Sequence, residues 1–448
     1  MVGVPGRSKG CITCRTRRKG CDLQRPTCGQ CTKAGLTCAG YSTPPTFVIS
    51  TPTSRQAGYR VTTPNTRSSG LWDCIARNQV FSDITNPRLL TRPEEERRCI
   101  DLFWEAYFPS GKPIPSDSAR SYTCTWTEVA RNLYRDDDAL RYALWANCLL
   151  LTGKRHGVEW ILRESSRVYG KALTLLRGAL ERSSGTNTRV HVATVKLLSM
   201  FEALSQRREN TVKDPQSRDW QRHNFGELAL IISGTPAAHM TGEAHYVFAD
   251  ERVEMALSAL LERRRLPLDG PEWKTLPWQV IPKDLKDVLV DVLIDMPGLV
   301  EEFDRMRLCY DLEIREVLQA RLLAKCWEHD CRLLEWLRLL QPFANHDSQQ
   351  SKPKDLVIHV AQVHGMSLFW VTGLVLYSTL RMLSKPETIL PSRTDPILHA
   401  HHLVDAITIL LHADSGLYGV QSAMLIIEVG LEALKKSWEN GLERLGSP

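Results

Sequence analysis

The chain has 448 residues, 24% of them charged and 43% hydrophobic, so it has room for more than one folding unit and is too apolar to be disordered throughout. Its net charge of +6 sits at one end. Residues 1–40 hold eight cations (Arg7, Lys9, Arg15, Arg17, Arg18, Lys19, Arg25 and Lys33) against one carboxylate, Asp22, which leaves −1 for the other 408 residues. That asymmetry predicts a localised anion-binding site.

The start, MVGVPGRSKGC, lacks the apolar run and cleavage site of a secretory signal. Residues 1–7 are read as a disordered N-terminus. The longest apolar candidate, MSLFWVTGLVLYSTL at 366–380, is shorter than the roughly 18–20 residues that cross a bilayer. It is expected to be a buried core helix in a soluble, intracellular protein with no membrane partner.

Thirteen cysteines cannot all pair, and six of them fall within residues 11–38. The other seven (Cys74, Cys99, Cys124, Cys148, Cys309, Cys326 and Cys331) are scattered, as small buried apolar residues would be. The six, Cys11, Cys14, Cys21, Cys28, Cys31 and Cys38, read C-x2-C-x6-C, six residues, then C-x2-C-x6-C, an internal repeat at an offset of 17. Two equal halves suggest pseudo-twofold symmetry about a shared centre. Clustered cysteine in an intracellular protein points to metal more than to disulfides.

Zinc takes four tetrahedral ligands. One zinc would leave two of the six thiolates unused. Two zinc ions need eight ligand positions, which six sulfurs fill if two of them bridge both metals. No histidine precedes residue 156, so the set must close on sulfur alone. The arithmetic favours a binuclear zinc–thiolate cluster. So small a segment has almost no apolar core, so metal binding is expected to supply most of its folding free energy, on the order of 10 kcal/mol per structural zinc.

Between Cys14 and Cys21 lies the run Arg15, Arg17, Arg18, Lys19. A purely structural zinc knot would not need it; a basic patch on a zinc module marks nucleic acid. A short helix is expected in each half, Arg15 to Lys19 in the first, ended by Gly20 in the left-handed conformation, with Thr32, Lys33 and Ala34 preceding Gly35 in the second.

The segment GCITCRTRRKGCDLQRPTCGQCTKAGLTCAGY closely resembles the binuclear zinc cluster of fungal transcription regulators. The cysteine spacing, the basic run, the Cys21-Asp22 pair and the Arg25-Pro26 pair all match. The resemblance implies two Zn2+ ions held by the six cysteines, with Cys11 and Cys28 bridging, and a cis bond at Pro26. It also implies major-groove reading of a CGG-type triplet by the end of the first helix. Arg18 matches the base-contacting position, where lysine is more usual in the family, and its fork suits guanine O6 and N7. Arg17 is the second base-contact candidate; Lys9, Arg15, Lys19 and Lys33 are assigned to phosphates, which fix register. Gly20 departs from the family, where a cation often stands. The basic run is also compatible with nuclear import.

Residues 42–91 are read as a Ser/Thr/Pro-rich linker, most clearly over 42–70, with prolines at 44, 45, 52 and 64. They offer no sustained heptads for a coiled coil. Dimerisation beside the cluster is not expected; a single-triplet site or a dimer formed through the far domain stays open. Residues 46–49 (TFVI) are read as a local anchor.

From residue 92 to 448 the pattern is helical. Pro93 followed by Glu94, Glu95 and Glu96 marks a helix start. Residues 139–151 are apolar nearly all round, and Val190, Ala193, Leu197, Phe201 and Leu204 share one face. Breaks are expected near 183–188, 208–218, 341–356 and 384–396. The fold class is therefore a small binuclear zinc-cluster domain of two short helices and loops (8–41) plus a large all-α C-terminal domain.

That body also resembles the second type of fungal-specific transcription factor domain, in DDDALRYALWANCLLLTG, the Trp220-His223-Gly226 segment and PEWKTLPW at 271–278. The resemblance implies regulation and protein contacts, with no catalysis. No Gly-rich phosphate loop, nucleophile elbow or HExxH motif is present. Cys326, His329 and Cys331 do not share a helix face. His399, His401, His402 and His412 are expected on helix surfaces, Arg263 to Arg265 at a helix end, and Trp273 and Trp278 in the core. The expected function is sequence-specific, DNA-binding regulation of RNA polymerase II transcription in the nucleus, with double-stranded DNA and co-regulator proteins as partners. The rival is a zinc-dependent, nucleic-acid-associated adaptor whose helical domain binds proteins.

Overall fold

The computed structural model describes residues 11–17, 19–22, 24, 27–36, 38, 93–114, 125–182, 188–205, 219–347 and 356–445, the side chains of 12, 15, 93, 125, 219–222, 341–347 and 437–445 excepted. The chain divides into two compact units, Met1–Gly70 and Leu71–Pro448. In the first, the described residues hold two five-residue helices, α1 (Ile12–Thr16) and α2 (Gly29–Lys33), displaced by the same 17 residues as the cysteines.

The second unit is all helical among the described residues. Its helices are α3 (Pro93–Tyr107), α4 (Thr125–Leu133), α5 (Asp138–His156), α6 (Glu159–Arg182), α7 (Thr188–Ser205), α8 (Asp219–Ile232), α9 (Gly242–Glu262), α10 (Pro271–Thr275), α11 (Leu285–Leu293), α12 (Met296–Arg307), α13 (Leu312–Asp347), α14 (Leu356–Leu383), α15 (Pro396–Leu410) and α16 (Gly416–Leu445). As predicted, α3 starts at Pro93 with Glu94, Glu95 and Glu96 in its first turn. Its Glu96 receives a two-pronged hydrogen bond from Arg141 of α5, both contacts at 2.5 Å. The Asp137 carboxylate caps α5 by accepting from the Leu140 N–H at 2.8 Å, and Gly157 closes it at φ 65°.

The core is built around helices that are apolar all round. The five residues predicted on one face of α7 are buried, but so are Val192, Thr194, Val195 and Leu198, because α7 runs among α4, α5, α8 and α9. Asn147 of α5 satisfies its amide NH2 there, donating to the carbonyls of Ala143 and Leu197 at 3.0 and 2.8 Å. The apolar run at 366–380 belongs to the 28-residue α14, so the length argument fails: the helix is long enough to span a membrane. It is nonetheless a core helix, since 78% of its most apolar window is buried and it packs on α11, α12, α13, α15 and α16. Part of α16 has a similar length and composition, half of it buried.

Several other expectations change. The break predicted from 341 begins later, as α13 continues through Pro342 to Asp347; a proline removes one backbone donor without always ending a helix. Cys99, Cys148 and Cys326 are buried, whereas Cys331 is exposed and Cys309 half-buried. Cys74, Cys124 and the 46–49 anchor lie outside the described residues.

His401, His402 and His412 are exposed, but His399 is buried. Its Nε2 pairs with the Arg393 carbonyl at 3.1 Å, and its ring packs on Tyr377 and Phe369. Gly373 makes the space, since a Cβ there would come within 2.5 Å of the imidazole. A period count cannot see such a pocket, because the glycine that creates it lies on another helix.

Trp273 and Trp278 are core residues, as predicted. Arg252 of α9 lies in the same layer, its guanidinium 4.0 Å from the Trp278 ring centroid. It donates to Asp291 at 2.6 Å and to the Asp287 carboxylate at 3.2 Å. The Trp278 indole N–H in turn donates to Asp287 at 3.3 Å. Arg263 sits past the end of α9 and pairs with Asp304 at 2.7 Å, and Arg265 pairs with Glu302 at 2.7 Å, so these two cations serve the body itself. Replacing Arg252 by Met takes the guanidinium from buried Asp287 and leaves Asp291 to Lys283, and should destabilise the body by about 3–5 kcal/mol, read as a lower urea midpoint for its helical signal; an unchanged midpoint would mean the pair is not buried in solution.

Candidate metal centre

Each half of the N-terminal unit is built on a cysteine that starts a helix. Cys28 is the N-cap of α2, and its sulfur accepts the Cys31 backbone N–H at 3.3 Å. Cys11 precedes α1, and its sulfur accepts the Cys14 N–H at the same 3.3 Å. The C-x2-C spacing places a sulfur at the positive end of a helical turn and returns the second cysteine beside it. Such N–H groups favour the thiolate form.

The sulfurs converge. Cys11 and Cys28 are 3.5 Å apart, Cys11 and Cys31 3.8 Å, Cys14 and Cys28 3.6 Å, and Cys14 and Cys31 3.9 Å. A tetrahedron with Zn–S bonds near 2.3 Å has S···S edges of about 3.8 Å, whereas a disulfide would bring two sulfurs to about 2.05 Å. The spacing fits metal, and none of the six is in a disulfide. Two sets of four form, each with its sulfurs within 4.8 Å of one another: Cys11, Cys14, Cys21 and Cys28, and then Cys11, Cys28, Cys31 and Cys38. Cys11 and Cys28 belong to both. Burial is symmetric too, with Cys11, Cys14, Cys28 and Cys31 buried and Cys21 and Cys38 half-buried. Desolvation pushes the Cys14 and Cys28 thiols above their ordinary range, so the packed sulfurs need a cation among them to be held as thiolates.

Asp22 ties the halves together, a role that spacing alone did not reveal. Its carboxylate accepts the Gly29 N–H at 3.1 Å, at the start of α2. Gly29 leaves room for this brace, since a Cβ there would stand 2.5 Å from the other Asp22 oxygen and the carboxylate would have to shift. The signal was in the sequence, as a lone carboxylate in a segment of cations.

The first helix is shifted from its predicted place. It spans Ile12–Thr16 and not Arg15–Lys19, because the Cys11 sulfur nucleates it at the first cysteine. It is closed by the Lys19 N–H on the Cys14 carbonyl at 3.0 Å. Gly20 lies beyond that bond and does not take a left-handed conformation, while Gly35 does, at φ 62°. Arg17, Lys19 and Lys33 are exposed. Lys9, Arg18, Arg25 and Pro26, with its expected cis bond, lie outside the described residues, as does the side chain of Arg15. Arg17 and Lys19 line one shallow depression with Cys14, Gly20, Cys21 and Gln30, so cationic side chains border the sulfur cluster.

Residues 9–46 match the fungal Zn(2)-Cys(6) binuclear cluster domain. The chain is 57% identical over 40 residues, 9% of its length, to the aspercryptin biosynthesis cluster-specific transcription regulator of Emericella nidulans. It is 25% identical over 221 residues, 45% of its length, to an uncharacterized protein of the same organism. The matches span 7% and 45% of those two proteins. No solved structure matches the chain. A binuclear zinc-cluster domain thus heads a large all-α body. Residues 9–46 form a fungal Zn(2)-Cys(6) binuclear cluster domain, which implies two zinc ions at the six clustered cysteines.

Asp22→Ala should remove the brace on α2 and cost the zinc-loaded cluster about 1 kcal/mol. A chelator titration followed by a zinc-sensitive dye should then show metal release at lower chelator concentration, with the body's helical signal unaffected.

Proposed function

We propose that this protein is a nuclear, zinc-dependent regulator that binds double-stranded DNA and reads a CGG-type triplet in the major groove to control RNA polymerase II transcription. The observation that carries the reading is the pair of sulfur tetrahedra sharing Cys11 and Cys28, with exposed Arg17, Lys19 and Lys33 around them. In this reading all six cysteines are zinc ligands and those two bridge the metals. Zinc supplies structural charge that locks the two halves; the reading of DNA falls to the side chains. Arg18 and Arg17 meet base edges, and Lys9, Arg15, Lys19 and Lys33 meet phosphates. The two kinds of contact do different work, since phosphates give affinity and register while base edges give sequence.

The proposed organisation is a cluster module at 8–41, a linker at 42–91 and a regulatory body at 92–448, of the second fungal-specific transcription factor type. It is supported by the division of the chain at Gly70 and by the first helix of the body at Pro93. The body is read as regulatory and partner-binding, not catalytic.

Selection from random duplex DNA by the zinc-loaded full chain tests the reading. Enrichment of a CGG-type triplet is expected, and Arg18→Ala should lose about 1–3 kcal/mol of preference for it. A fixed spacing between two triplets would indicate dimerisation through the body. Salt-sensitive binding with no enriched sequence would instead establish the adaptor. The ligand assignment has its own measurement, zinc per chain: Cys11→Ser or Cys28→Ser should lose metal from both positions, Cys21→Ser or Cys38→Ser from one. Equal losses from all four would remove the bridging assignment.

A further inference from the structure

The turn between α12 and α13 and the first turns of α13 carry apolar side chains that the body does not use. Leu308, Tyr310, Leu312, Ile314 and Val317 are 75, 98, 62, 53 and 69% exposed. Every residue from Leu312 to Val317 is exposed, and packing on the core begins with Leu318 and Leu322. The overhang is nonetheless helical, because the Asp311 carboxylate caps it by accepting the Ile314 N–H at 3.1 Å. Single apolar residues scattered on a surface are ordinary, but five within one stretch of ten make a patch of the kind that marks a protein interface.

The patch has a direction. Tyr310, Ile314, Val317, Arg321 and Ala324 are spaced 4, 3, 4 and 3 apart and all are exposed, so they follow one solvent-facing stripe along α13. Val317 is its centre. Glu313 stands four residues before Val317 and Arg321 four after it, which makes the stripe acidic toward the start of the helix and basic further along. Asp311 is taken up by the cap, and Arg315, two residues from Val317, falls on the other side of the helix. Lys325 is held by Glu302 at 2.6 Å. Among the described residues neither Glu313 nor Arg321 is in an ion pair.

We propose that this stripe is the interface for a second copy of the chain, the two α13 helices packing antiparallel across a two-fold axis beside Val317. A two-fold contact needs a patch that complements itself, and the order of charges here does so. In the antiparallel arrangement Ile314 and Val317 of each copy face those of the other, and the Glu313 of each meets the Arg321 of the other, twice over. A parallel arrangement would set glutamate against glutamate and arginine against arginine, which is disfavoured. Ala320 and Ala324 are exposed along the same side and leave room for close approach of the two helices. The contact from Leu312 to Ala324 is about 20 Å long, at the small end of specific interfaces, so a dimer with a Kd on the order of 10 μM is expected. The inference does not rest on the DNA reading; it gives a dimer formed through the body its surface.

The experiment is sedimentation velocity of the zinc-loaded full chain, from about 1 to 100 μM and without DNA, so that its outcome is separate from that of the triplet selection. A reversible monomer–dimer equilibrium is expected. Val317→Glu brings two carboxylates together at the axis and should leave only monomer over that range, with the helical signal unchanged because the position is exposed in a single copy. Glu313→Arg or Arg321→Glu alone should weaken the dimer roughly tenfold, since each sets like charges together at two places. The double variant carrying both reversals should restore it. A chain that stays monomeric throughout would overturn the proposal. So would a dimer indifferent to Val317→Glu, which would place the contact elsewhere, or single reversals that the double variant does not rescue.

Discussion

Sulfur cannot be gathered out of water as thiolate without positive charge beside it. The N-terminal unit is organised around that constraint. Its described residues contain no apolar core beyond the cysteines themselves, so the charge that holds the sulfurs together is also what holds the chain together. Sharing Cys11 and Cys28 between two sets of four has a geometric consequence. The two halves cannot separate without breaking both sets. Each shared sulfur also accepts the backbone N–H that starts its own helix, so metal binding and helix nucleation are coupled at the same atom. This explains why α1 begins at Ile12, immediately after Cys11. Arg17 is carried past the helix end into a turn, where it is exposed.

Much of this was legible before any coordinates. A repeat at an offset of 17 is a statement about symmetry, and the two helices obey it. The counting of eight ligand positions against six sulfurs needs only the tetrahedral preference of zinc. What spacing could not supply was the direction of the side chains. The Asp22 brace depends on a carboxylate reaching seven residues along the chain to Gly29. The misplaced end of α1 has a related cause. Gly20 looked like a stop signal because glycine tolerates a left-handed backbone, but the helix had already ended.

In the body, patterning was a good guide to what is helical and a poor guide to what is buried and polar. Helices such as α5 and α14 are apolar nearly all round, and sequence shows this directly. Arg252, Lys196 and His399 are different. Each is polar and each is buried, and each is made tolerable by residues distant in sequence. Asp287 and Asp291 neutralise Arg252, Glu251 and Glu254 hold Lys196, and Gly373 leaves room for His399. A single-sequence reading places charged residues on the surface by default, and it fails where partners converge from other helices.

Those buried pairs bear on how the protein divides its labour. The first 40 residues carry +7 and the remainder −1. Within the body, cations are repeatedly matched: Lys274 and Arg332 with Asp295, Lys286 with Asp250, Arg263 with Asp304, Lys325 with Glu302. A charge held at 2.6–2.7 Å by a carboxylate has little field left to offer a polyanion at a distance, especially once salt screens it. In the cluster the single carboxylate, Asp22, is used to brace backbone, while Arg17, Lys19 and Lys33 are exposed to solvent. Nucleic-acid affinity in the proposed function is therefore expected to reside in the small unit. The paired charges of the body go into its own folding.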